Sequence, residues 1–312
     1  MFDLPMIGRC RRDLLALDSI RFLTRGNPLG IATLFEPLIS RHLTYTAIGA
    51  DGSTSIMGQI TKKYAEAFAR LSFLAPHKDL GGAELHLLDH LSKQAGTWGA
   101  HYILGETDER SDTFKSLRKS GYAMYAWQKI WRLKDSSTNN NTLDWRVPSA
   151  ADMPVVAGLY AKIVPLLIQP FIPLPQDPKG MICYQAEKLQ AYVDLTYGPR
   201  GIWAQPLVNP DAEFLTDLIC TLLLNLPRRG GRAVYLCLQS SQAWLEPALE
   251  ESGAEASPRQ AVMVKHLTAA QRDEVKITVR DKALAKPAAT VVRASTKNQG
   301  TGSLNSAQRE PK

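Results

Sequence analysis

The sequence predicts a mixed α/β fold in which one order of strands and helices is built twice. Three observations predict it. The chain has 312 residues, of which 45% are hydrophobic and 21% charged, an ordinary globular composition with enough chain for two domains of about 130 residues. Short runs of alternating apolar residues are interleaved with segments of helical period. Most informatively, the pattern of the first half returns at a nearly constant spacing, so that Asp13 matches Asp144, 131 positions later.

The first half reads as strand, helix, two or three strands, helix, strand, helix, strand. Asn27-Pro28 offers an N-cap and a first-turn proline for a helix that Pro37 ends or kinks. Tyr45 to Ala50 and Ser55 to Thr61 alternate about an Asp51-Gly52 turn, and Ala67 to Ala75 reads as a further strand. From Gly82 to Ala95 the apolar residues Leu85, Leu88, Leu91 and Ala95 share one helical face. Tyr102 to Leu104 is a short buried strand. Ser111 caps a last helix with Phe114 and Leu117 inward and Gly121 as its stop, and Tyr125 to Leu133 closes the unit.

The second half follows suit. Arg70 to Leu74 maps onto Gly201 to Gln205, the helix face onto Thr216, Ile219, Leu222 and Leu226, and Tyr102 to Leu104 onto Ala233 to Tyr235. Leu117 and Gly121 find Leu249 and Gly253. Asp135 to Thr142, DSSTNNNT, has nothing to bury and separates the halves. The expected division is 1–134, a linker at 135–142, 143–268, and a tail at 269–312 that holds one possible edge strand, Asp273 to Lys282, before a disordered basic end.

Several function classes lose support on the same evidence. The net charge is +7, but from Thr268 onward nine Lys and Arg face four Asp and Glu. The folded body is therefore near neutral, which argues against nucleic acid as its partner. The longest nearly apolar stretch, Leu215 to Leu226, is too short for a membrane span. Four cysteines without a C-x-x-C pair suggest neither zinc nor a disulfide framework. The N-terminus lacks the pattern of a secretory signal, so the expected location is cytoplasmic. No P-loop, G-x-S-x-G, H-E-x-x-H or G-x-G-x-x-G occurs.

One segment does carry chemistry. A strand, then His77-Lys78-Asp79-Leu80-Gly81-Gly82-Ala83, then an amphipathic helix, is a phosphate-cradle arrangement. Amides at a helix start point one way, the helix dipole favours an anion, and glycines let a pyrophosphate approach. Lys78-x-x-Gly81-x-Ala83 resembles the loop with which Gcn5-related N-acetyltransferases hold acetyl-coenzyme A, with Lys in place of Gln or Arg. The order of elements over Ala67 to Leu133 is similar to that family's.

The resemblance implies a duplicated acyl-coenzyme A N-acyltransferase fold. It implies acetyl-coenzyme A as acyl donor, bound by Phe73, Leu74, Lys78, Leu80, Gly81, Gly82 and Ala83, and a small-molecule or peptide amine as acceptor. Glu106, just after a strand, is the one candidate base; a solvated loop carboxylate is the alternative for the same residue. The family's usual tyrosine acid falls on Leu117, and Asp79 and Glu84 set negative charge beside the cradle.

In the second half the loop positions become Asn209, Ala212, Glu213 and Phe214, so only the first half is expected to hold coenzyme. The remaining features have plain explanations. His86 and His90, four apart on a helix, fall on its solvated side with no third ligand evident. Arg228 to Arg232 suits a helix C-terminus, and Pro170, Pro173, Pro175 and Pro178 stiffen a connector that could wall an acceptor site. Two functions from different classes follow: an N-acyltransferase using its first half, or a non-catalytic binding or scaffold protein on the same fold.

Overall fold

A computed structural model describes residues 4–30, 42–51, 54–76, 82–134, 143–174, 180–227 and 229–267. In chain order its elements begin with α1 (Leu4–Arg12), β1 (Leu15–Ala16), α2 (Ser19–Arg25), β2 (His42–Asp51), β3 (Thr54–Lys63) and β4 (Phe68–Ala75). Then come α3 (Ala83–Thr97), β5 (Tyr102–Asp108), α4 (Asp112–Lys119) and β6 (Ala123–Leu133). The second half contributes β7 (Trp145–Arg146), α5 (Met153–Ile163), β8 (Met181–Gln185), β9 (Lys188–Tyr197) and β10 (Gly201–Val208). It ends with α6 (Leu215–Asn225), β11 (Ala233–Gln239), α7 (Glu246–Glu251), β12 (Glu255–Ala256) and β13 (Gln260–His266).

Local rules account for most of these elements. Ser111 accepts the Phe114 N–H at 3.1 Å and starts α4, whose Leu117 is wholly buried. Gly121, with φ of 86°, allows the left-handed residue that ends it. The α3 face buries Leu87, Leu88, Leu91 and Ala95, so Leu87 takes the place expected for the half-buried Leu85. Gly58 lets α3 lie close on the sheet, since a Cβ there would stand 3.0 Å from both Leu74 and Leu91. Near the N-terminus Asp18 caps α2 at Arg21 N–H, and Asn27-Pro28 lies in a turn after that helix. The helix expected beyond Pro28 lies outside the described residues, as do Pro37, the Asp51-Gly52 turn's glycine, the 135–142 linker, Pro175, Pro178, Arg228 and the strand at 273–282.

The fold is mixed α/β with a mostly antiparallel sheet. Among the described residues thirteen strands form it, in the order β2-β3-β4-β5-β13-β6-β11-β10-β9-β8-β7, with β1 on β4 and β12 on β6. Among the described residues the parallel neighbours are β4 with β5 and β10 with β11. The strands β2-β3-β4-β5 and β8-β9-β10-β11 thus repeat one motif, with a helix crossing over between the last two of each. At the centre the halves exchange strands: β13 lies between β5 and β6, and β6 between β13 and β11. The described residues all belong to one compact unit. All four cysteines are buried and free, and no helix among the described residues is long and apolar enough to cross a membrane.

Candidate functional site

In the first half β4 and β5 pair only from Phe68 with Tyr102 to Arg70 with Leu104. Beyond Arg70 they part. The gap is filled by the protein's own chain, because β1 enters it with Leu15 opposite Leu74 and Ala16 opposite Phe73. Leu17 bridges both walls: its N–H donates to the Ser72 carbonyl at 3.0 Å, and its carbonyl accepts the Glu106 N–H at 2.9 Å. Phe73 and Leu74 therefore lie at the splayed strand where the sequence places them, but fully buried, with β1 along their backbone. The sequence did not reveal this. A two-residue strand has no periodicity, and its signal was only the apolar run Leu14-Leu15-Ala16-Leu17 after three arginines.

Of the cradle, Lys78, Leu80 and Gly81 lie outside the described residues. Gly82 has φ of 96°, and a Cβ there would meet nothing within 4 Å. Its N–H donates to Glu84 Oε2 at 2.9 Å, while Glu84 Oε1 accepts the Ser116 hydroxyl at 2.9 Å. Ala83 and Glu84 are both buried. A carboxylate at the start of α3 satisfies the helix dipole and takes one amide that an exogenous anion would use.

Glu106 belongs to the interior of β5 and is 6% exposed, so it is not a solvated loop carboxylate. Oε2 accepts the Ser19 N–H at 2.9 Å, and Oε1 lies 3.8 Å from the Arg70 guanidinium. Burial and then the Asp18 charge push its carboxyl above the usual range, against the pull of Arg70 and Ser19. Beside it is a small cavity of about 40 Å³, where Gln128, Gln205, Gln239 and Cys237 meet Phe171 from the proline-rich connector. A protonated Glu106 can donate there, and an ionised one can accept.

The second half has a corresponding splay after Ala204 and Leu236. Gln242, 2% exposed, lies along its β10 wall, with Oε1 accepting the Val208 N–H at 3.0 Å and Nε2 donating to the Pro206 carbonyl at 2.9 Å. Next to it, Leu218, Leu222, Leu245 and Leu249 leave a cavity of only about 20 Å³. Asn209 ties its own loop, accepting the Asp211 N–H and donating to the Leu189 carbonyl. Phe214 caps α6 at φ of 54° and is 55% exposed. The second splay is thus closed by Gln242 and the leucines and not by the exposed Phe214. On α3, His86 and His90 are exposed, and His90 Nε2 lies 2.9 Å from the Tyr45 hydroxyl.

No protein-family model and no curated protein matches the chain. Solved structures resemble it. A GCN5-related N-acetyltransferase from Sphaerobacter thermophilus is 12% identical, covers 68% of this chain and 76% of its own, and has a TM-score of 0.45. An acetyltransferase of the GNAT family from Colwellia psychrerythraea is 12% identical over 84% of this chain and 94% of its own, with a TM-score of 0.44. A tandem GNAT protein from the clavulanic acid biosynthesis pathway is 11% identical over 72% of this chain and 83% of its own, also with a TM-score of 0.44.

Proposed function

We propose that this protein is a non-catalytic binding protein on a duplicated N-acetyltransferase-like fold. The observation that carries the reading is β1, which fills the splay between β4 and β5 and hydrogen-bonds to both walls. A coenzyme arm needs that gap and those backbone groups. Three further features point the same way: the Glu84 carboxylate on the Gly82 N–H, Gln242 in the second splay, and Leu117 at the acid position. Four buried thiols without disulfides suit a reducing compartment such as the cytoplasm.

The second reading is an N-acyltransferase in which the first half takes acetyl-coenzyme A and acetylates a small-molecule or peptide amine. Gly82 favours it, being left-handed at the start of α3 with open space above it. In that reading Lys78 and Gly81 complete the cradle, β1 withdraws to admit the coenzyme, and Glu106 takes the amine proton.

Calorimetry with acetyl-coenzyme A, paired with a thiol-release assay over a panel of amines and peptide N-termini, separates the two. The binding-protein reading expects no thiol release, and no heat that Gly82→Asp removes. Turnover with any amine, abolished by Gly82→Asp in a protein that keeps its melting temperature, overturns it.

A further inference from the structure

The small cavity beside Glu106 lies where the two halves of the chain meet. Arg70 and Glu106 reach it from β4 and β5, Gln128 from β6, and Trp203, Gln205 and Gln239 from β10 and β11. Leu104, Phe171 and Val262 are among its apolar walls. Ile20, Ile172 and Gln205 are only half-buried, so the cavity reaches solvent on their side.

A row of glutamines crosses the sheet here. Gln128 on β6 stands opposite Gln260 of β13 on one side and Gln239 of β11 on the other. The first two are committed: Gln128 Nε2 donates to Gln260 Oε1 at 3.2 Å, and Gln128 Oε1 accepts the Cys237 thiol at 3.5 Å. Gln239 is different. It is 5% exposed and lines the cavity, and among the described residues its carboxamide makes no hydrogen bond. Gln205 Nε2 donates to the Cys237 carbonyl at 3.3 Å, which leaves its Oε1 without a partner among the described residues. Burying a carboxamide in this way is costly, because two N–H donors and a carbonyl give up water and receive nothing. A ligand in the cavity restores those bonds.

The lining indicates which ligand. Its charged groups are Arg70 and Glu106, 3.8 Å apart. A carboxylate would bring its charge beside Glu106, and an ammonium group beside Arg70; an amide avoids both. An amide carbonyl can accept from Gln239 Nε2 and Arg70, and its N–H group can donate to Gln239 Oε1 and Gln205 Oε1. Glu106 serves it in either protonation state, as donor or as acceptor. Phe171 and Trp203 add flat apolar surfaces of the kind that enclose small ligands. The volume has room for roughly three groups the size of water, which fits an amide with one methyl group and excludes a coenzyme.

We propose that this cavity binds the neutral amide group of a small molecule, paired with Gln239 and Gln205 and enclosed by Arg70, Glu106 and Phe171. The inference deepens the binding-protein reading and rests on it, since it gives that protein a class of ligand.

The test is an NMR titration of the full chain with acetamide, acetate and methylammonium, three small probes that differ in charge. No coenzyme is present, so saturation here and turnover in the thiol-release assay are separate results, and either can fail without the other. The signals to follow are the side-chain amides of Gln205 and Gln239 and the indole N–H of Trp203. The expected result is saturation by acetamide at lower concentration than by either ion, weakened about tenfold or more by Gln239→Met, which keeps the length of the side chain and removes its hydrogen bonds. Gln205→Met should weaken it too, and tests the site if Gln239→Met fails to fold. Lys93→Gln, on the exposed face of α3, should leave it unchanged. Equal or tighter binding of acetate or methylammonium overturns the proposal. So does acetamide binding that survives both variants, or no saturation by any probe, which would leave the cavity to water alone.

Discussion

Glu106 shows how opposing terms meet in one side chain. The Ser19 N–H and Arg70 favour its carboxylate, whereas burial and Asp18 favour the acid and prevail. The folded chain therefore holds this proton more tightly than the unfolded chain does. Its contribution to stability is complete below the ordinary carboxyl value of 4.5 and is lost as pH rises through the higher folded value. Glu106→Gln retains a neutral polar group and removes the titration. Urea melts at about pH 5 and pH 8 should show a smaller loss of stability on raising pH in the variant than in the parent. An equal loss in both proteins would mean that Glu106 is ionised throughout. Gln242 offers the contrasting case, since an uncharged amide can satisfy a strand's N–H and C=O together with no dependence on pH.

Among the elements, α2 joins the first half of the chain to the second. It belongs to the first half, yet it packs on the strand turn and first residues of β10. The Arg200 N–H donates to the Thr24 carbonyl at 2.9 Å. This close approach depends on two glycines: a Cβ at Gly198 would lie 2.3 Å from the Thr24 carbonyl oxygen, and one at Gly201 2.8 Å from that of Leu23. The obstacle is backbone, which cannot rotate away as a side chain can. Gly198→Ala should therefore cost about 1–3 kcal/mol by overpacking, read as a lower unfolding midpoint. A variant as stable as the parent would show that α2 docks more loosely than its contacts indicate.

For the whole molecule, the exchange of β6 and β13 decides cooperativity. β5 finds its antiparallel neighbour in β13, nearly 160 residues along the chain, and β6 finds one in β11. Neither half can complete its sheet without a strand from the other, and an unpaired β5 or β6 would expose a row of backbone donors and acceptors. Thermal unfolding should accordingly be a single transition, with far-UV circular dichroism and tryptophan fluorescence coincident. Two separated transitions would show that the halves fold independently. Residues 1–134 expressed alone should remain without fixed near-UV signal or aggregate, since β5 and β6 would lack the strand that lies between them.

What the sequence determined by itself is what depends on neighbours along the chain. The strand and helix periods, the Ser111 cap, the Gly121 stop, the apolar residue at 117 and the altered loop at Asn209 to Phe214 are local properties, and local propensity and pattern suffice for them. The repetition of β2 to β5 as β8 to β11 was legible for the same reason, because each unit carries its own pattern. Only the tertiary structure decided where β1 pairs, since two residues cannot specify a partner and the hydrogen bonds of any open strand would satisfy them. It also decided that Glu106 is dry rather than solvated, because burial there is imposed by Leu17, Ser19 and residues of the second half. Equally hidden was a cavity at which α2 and three separate strands bring Arg21, Arg25, His42, Lys63 and Arg70 together, since no spacing in the chain reveals that meeting.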